Sequence, residues 1–185
     1  MGASRQKAQE SPGFTIPELL VSIFIIVLMT AITLPNWHAG ETTLALDRAA
    51  HKLAQDLRKA TELAQRAQFY DCDPSGTLGY KITGYGIYIP AGTSTSYTLY
   101  VECNGNEIYD GPTVDAVFQS VTLENKIQIT SAGRNPFSIL FVPPVPTITI
   151  QPGSLTEAQI TLSVAGDLSR FKIITITTKG IIEID

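Results

Sequence analysis

Glu18 stands at the head of an otherwise apolar run, Leu19-Leu20-Val21-Ser22-Ile23-Phe24-Ile25-Ile26-Val27-Leu28-Met29, and the next charged residue is Glu41. An acid at the centre of a membrane-length segment costs about 2.5–3.5 kcal/mol, less near the interface, so it calls for a partner and a purpose. Cys72 and Cys103 are the only cysteines, and they form either a disulfide or a pair of buried thiols. Asp71-Cys72-Asp73-Pro74-Ser75-Gly76 matches the first half of a calcium loop, which makes Asp71 and Asp73 metal-ligand candidates. Ile82 occupies the place where such a loop needs a bidentate glutamate, so the segment reads first as a turn. Asn104, Asn106, Glu107 and Asp110 make a second oxygen-rich turn. His38 and His51 have no ligand partner in helical register. No G-x-S-x-G, Walker loop or zinc spacing occurs, and Gly84-Tyr85-Gly86 lacks the rest of a dinucleotide fingerprint. Neither catalysis nor a cofactor is expected, with calcium as the weaker alternative.

The elements that must position these residues begin with the apolar run. Residues 14–35 read as a membrane-spanning helix, whose apolar part from Phe14 to Leu34 is 21 residues. A helix of that length reaches about 31 Å, close to the roughly 30 Å hydrocarbon core of a bilayer. Arg5 and Lys7 precede it, which places the N-terminus on the cytoplasmic side and the rest of the chain outside. Outside the cytoplasm disulfides persist, and this favours a Cys72–Cys103 bridge. Trp37 suits the membrane–water boundary or a protein core equally well. Pro17 costs roughly 3 kcal/mol inside a helix but little in the first turn, where N–H groups have no intrahelical partner. A cut after Gly13 explains both Pro17 and Glu18. Phe14 becomes the new terminus, and its free amine becomes a counter-ion for Glu18, most usefully on a neighbouring subunit.

At these residues the chain resembles the type IV pilins and type II secretion pseudopilins. The matching stretch is Gly13-Phe14-Thr15-Ile16-Pro17-Glu18-Leu19-Leu20-Val21, behind a short basic leader. The resemblance implies that residues 1–13 are a leader removed by a prepilin peptidase between Gly13 and Phe14. It implies methylation of the Phe14 amine and makes Glu18 the acid that pairs with an adjacent subunit during filament assembly. Pro35 lies where members often carry a helix-weakening proline, so a kink is expected there. The residue before the acid is usually aliphatic, and Pro17 departs from that. Implied partners are other pilin or pseudopilin subunits, the peptidase and an inner-membrane assembly platform. Some pseudopilins bind calcium. The implied location is the cytoplasmic (inner) membrane, crossed once, with the globular head periplasmic or extracellular. The alternative is a single-pass anchored binding module that does not polymerise.

Beyond Pro35 the pattern predicts an amphipathic continuation of the helix over 36–69, with Leu46, Ala50, Leu53, Leu57, Ala60, Ala64 and Ala67 on one stripe. Asp47, Arg48, Lys52, Asp56, Arg58, Lys59, Glu62 and Arg66 read mostly as a solvated surface. Residues 70–185 alternate in short apolar segments that predict a β-rich head. Strands are expected at Tyr80–Ile89, Tyr97–Cys103, Val117–Leu123, Lys126–Thr130, Phe137–Val142, Thr147–Ile150, Ala158–Val164, Phe171–Thr177 and Ile181–Ile184. Asn104-Gly105 predicts a hairpin into Ile108-Tyr109, and Glu124-Asn125 predicts another between its flanking strands. The expected class is α+β, a long helix packed on an antiparallel β domain. The order of the strands toward Ile139-Leu140-Phe141-Val142 and Ile173–Ile181 resembles the GspH/FimT type of minor pseudopilin or minor pilin.

Charge excludes one class of partner. The chain carries Lys+Arg 13 against Asp+Glu 17, and within 70–185 the balance is 6 against 11. Nucleic-acid binding needs clustered cations, so none is expected; Arg170 and Lys172 are a local exception that reads as a strand face. The mean hydropathy of +0.13 is set largely by residues 14–34.

Overall fold

The computed structural model describes residues 13–67, 70, 72, 82–131, 137–153 and 155–185, and the side chains of residues 34–39 and 131 lie outside the description. Among the described residues one helix, α1 (Ile16–Gln65), is followed by ten strands. The chain divides into two compact units, one ending at Glu41 and the other Thr42–Asp185.

In the first unit α1 starts with the Leu19 N–H bonded to the Thr15 carbonyl at 3.1 Å. Pro17 is the second helical residue, where its missing N–H has no bond to lose. The helix runs on through Pro35 and Gly40 as backbone; the kink expected at Pro35 falls where side chains lie outside the described residues. Side chains from Gly13 to Thr33 are exposed throughout. The hydroxyls of the apolar run are satisfied inside the helix. Ser22 donates to the Glu18 carbonyl at 2.8 Å, Thr30 to Ile26 at 2.7 Å and Thr33 to Met29 at 3.0 Å. Hydroxyls bonded in this way need no water, so they do not disqualify the run as a membrane span.

In the second unit the helix ends four residues before the expected Phe69. Ala67 takes a φ of +44°, and its N–H bonds the Ala64 carbonyl at 3.0 Å, a left-handed cap that stops propagation. The buried stripe is Ala45, Leu46, Ala49, Ala50, Leu53, Ala54, Leu57, Ala60 and Ala64, mostly alanine, so the backbone can approach a sheet closely.

Two antiparallel five-stranded sheets complete the unit. The first has the order β4 (Ala116–Thr122), β3 (Ser96–Glu102), β1 (Gly84–Ile89), β6 (Phe137–Val142), β7 (Thr147–Gln151). The second has the order β10 (Ile182–Ile184), β9 (Asp167–Thr177), β8 (Glu157–Val164), β5 (Ile127–Ser131), β2 (Thr93–Ser94). Tyr85, Ile87 and Ile89 of β1 lie opposite Phe141, Ile139 and Phe137 of β6, and all six join the α1 stripe in one core. Ile127, Ile129, Ile160, Leu162, Ile174 and Ile176 bring the second sheet into the same core.

Two expected hairpins are not hairpins. Asn104-Gly105 does turn, with Gly105 at φ +81°, but residues 103–115 form a loop and β3 pairs with β4 instead. Glu124 and Asn125 lie between β4 and β5, which belong to different sheets. The local chemistry asked for a turn in each case, and the partner of the outgoing strand was decided by burial elsewhere. β2 was not expected, and β9 begins at Asp167, four residues before the expected start.

Candidate functional site

Gly13 and Phe14 precede the first helical residue, and Glu18 lies in its first turn. Phe14 is 78% exposed, and an added Cβ at Gly13 would meet nothing within 4 Å. The Gly13–Phe14 bond lies outside any helix or strand. From Ile16 to Thr33 the helix is long and apolar enough to cross a membrane, and none of it is buried within the chain. Such a surface finds its cover in lipid or in other proteins. Glu18 forms no ion pair among the described residues.

The head carries a polar site that sequence reasoning only partly anticipated. Cys72 and Cys103 are joined by a disulfide, with Cα atoms 5.6 Å apart. Asp71 and Asp73 lie outside the described residues. Beside Cys103 two carboxyls go into the interior: Glu102 is 0% and Asp115 1% exposed. Asp115 accepts the Cys103 N–H at 3.2 Å on Oδ1 and the Asp110 N–H at 2.7 Å on Oδ2. Glu102 Oε1 accepts the N–H groups of Asn104 at 3.1 Å and Gly105 at 2.9 Å, while Oε2 has no partner among the described residues. Burial pushes both carboxyls above the usual range; the neighbouring Asp115 charge adds to the rise at Glu102, and the backbone N–H groups work against it. The two acids act as staples that close the 103–115 loop, with Asn104 and Asn106 donating to Asp110 Oδ2 from inside it. No cluster of three or more metal-ligating side chains occurs among the described residues.

This loop covers the face of the first sheet that points away from α1. Tyr109 lies against Tyr88 and Tyr100, with ring centroids 4.6 and 4.9 Å apart. Gly86 makes room, since a Cβ there would stand 2.4 Å from the Tyr100 ring. Gly86, which the sequence offered only as an incomplete dinucleotide fingerprint, admits an aromatic ring.

Asp56 corrects the expectation of a solvated helix surface. It is 3% exposed, accepts the Tyr97 hydroxyl at 2.6 Å and pairs with Lys52 Nζ at 2.8 Å. The signal was an i,i+4 Lys–Asp pair that looks identical on a wet face. Burial, reinforced by Asp56, pushes the Tyr97 hydroxyl upward, so it stays a donor. Arg170 and Lys172 are not a free cationic face, being tied to Asp167 at 2.8 Å, Thr42 at 2.7 Å and Asp47 at 3.7 Å. His51 is exposed.

What these features define is an α+β protein with one helix of membrane-spanning length and an antiparallel two-sheet head. No family model, curated protein or solved structure matches the chain.

Proposed function

We propose that this chain is a pilin-like structural subunit, a pseudopilin or minor pilin of a type II secretion system or type IV pilus. Its leader, residues 1–13, is removed by a prepilin peptidase, Phe14 is methylated, and the chain assembles through its N-terminal helix. The helix is held in the cytoplasmic membrane with the N-terminus inside and the head outside. The reading rests on one observation above all: the fully exposed, membrane-length stretch Ile16–Thr33 of α1 carries a single acid, Glu18, in its first turn, four residues from Phe14. Assembly would cover the helix with neighbouring helices. Glu18 would select the register, because a misplaced subunit leaves the acid unpaired in an apolar surround.

Mass spectrometry of the mature N-terminus tests processing. The expected peptide begins at methylated Phe14, whereas an intact Met1 counts against the scheme. Glu18→Ala tests assembly. It leaves processing intact and lowers sedimentable polymer at least tenfold; normal incorporation would remove Glu18 from the mechanism.

A further inference from the structure

Beside the 103–115 loop lies a cavity of about 170 Å³. Tyr88, Ser138 and Gln151 form its floor as a row across β1, β6 and β7, since Tyr88 lies opposite Ser138 and Ser138 opposite Gln151. Ile108, Tyr109, Phe137 and Pro152 complete the lining. This is smaller than the roughly 300–1,000 Å³ of small-molecule sites, and it suits one long side chain. In the chain, Glu107 and Asp110 flank the lining residues Ile108 and Tyr109, neither forms an ion pair among the described residues, and the segment 102–115 contains no lysine or arginine. Tyrosine faces near carboxylates that carry no cationic partner match a guanidinium, which stacks on the ring and pairs with the acid. Arginine is also among the residues that anchor protein interfaces most often.

The chain itself supplies a matching group. Of the described arginines, Arg48, Arg66 and Arg170 are held by Glu124, Glu62 and Asp167. Arg58 is exposed on α1 and makes no ion pair or hydrogen bond among the described residues. It cannot reach the cavity of its own head, because α1 packs on the Tyr97 face of the first sheet and the cavity opens on the opposite, Tyr88 face.

We infer that the Tyr88–Tyr109 cavity receives Arg58 of a second copy of this chain, with Asp110 and Glu107 as its counter-charges. The cavity and Arg58 lie on opposite sides of one sheet, so the contact is head-to-tail; where the rotation between copies does not close a ring, it repeats as a helical filament. The inference rests on the polymer reading above and adds the contact between heads.

A benzophenone amino acid in place of Ile108, in the full mature chain allowed to assemble, tests it. The expected cross-link joins residue 108 to a peptide spanning Arg58 of another copy. Arg58→Glu and Asp110→Arg each lower it at least tenfold, the two together restore it, and Arg58→Lys gives an intermediate yield. The melting temperature of each variant shows whether the head is intact. An assembled chain whose cross-link maps elsewhere, or survives Arg58→Glu, overturns the cavity inference and leaves the polymer reading standing. A chain that stays unassembled with Glu18 present overturns both.

Discussion

The two units solve the same problem in opposite ways. Both are rich in isoleucine, leucine and valine. In the head these residues are buried by α1 and two sheets, whereas from Ile16 to Thr33 they face outward on every side. The head therefore contains its own stabilisation, and the span depends on whatever surrounds it. Leucine at position 53 and isoleucine at position 25 differ in neighbours far more than in chemistry.

Paired substitutions sharpen this contrast most. Leu53→Ala, at a site with no exposure, costs the head about 2–5 kcal/mol in denaturant unfolding. Ile25→Ala leaves the head's unfolding within about 0.5 kcal/mol of the parent, because the side chains from Ile16 to Thr33 are exposed. Equal effects at the two sites would break the comparison. Next in size is Tyr97→Phe, which removes the hydroxyl bonded to Asp56 and costs about 1–3 kcal/mol by thermal unfolding, leaving the buried carboxylate short of a donor.

Glu102 gives a smaller, pH-dependent effect. Its carboxyl titrates near 4.5 when unfolded and higher when folded. Between those points the folded chain holds more protons, so stability falls as pH rises through the folded value. Glu102→Gln keeps an oxygen for the Asn104 and Gly105 amides and carries no charge. It flattens the fall, and a residual slope from Asp115 remains. Melting temperatures of parent and variant from pH 4 to about 8 read the difference. At the bottom of the scale is Arg48→Ala. Its pair with Glu124 holds that carboxyl below the usual range, yet 59% and 43% of the two side chains are exposed, so the loss is under about 1 kcal/mol.

Most elements were legible because their signals are local. The stripe from Leu46 to Ala64 repeats at helical spacing, and β6, β7, β8 and β10 sit within a residue or two of their alternating segments. Pro143, Pro144 and Pro146 end β6 at Val142, as a residue without an N–H must. Asp56, Glu102 and Asp115 were not legible as buried acids. A carboxylate carries no mark of burial; what makes the interior tolerable is a hydroxyl or backbone amide supplied from another part of the chain. Asp56 draws on Tyr97, and Asp115 on the amides of Cys103 and Asp110.

By itself, then, the sequence determined the apolar span, its lone acid and the Gly13-Phe14 stretch before it, since composition and adjacency need no fold. It also determined the class, one long helix and many short strands. Only the tertiary structure decided which strands meet, that β4 and β5 part into different sheets, and that the 103–115 loop lies across the back of the first sheet. Those outcomes depend on contacts between residues far apart in the chain, which are settled by which faces can be buried together, and no local spacing records that.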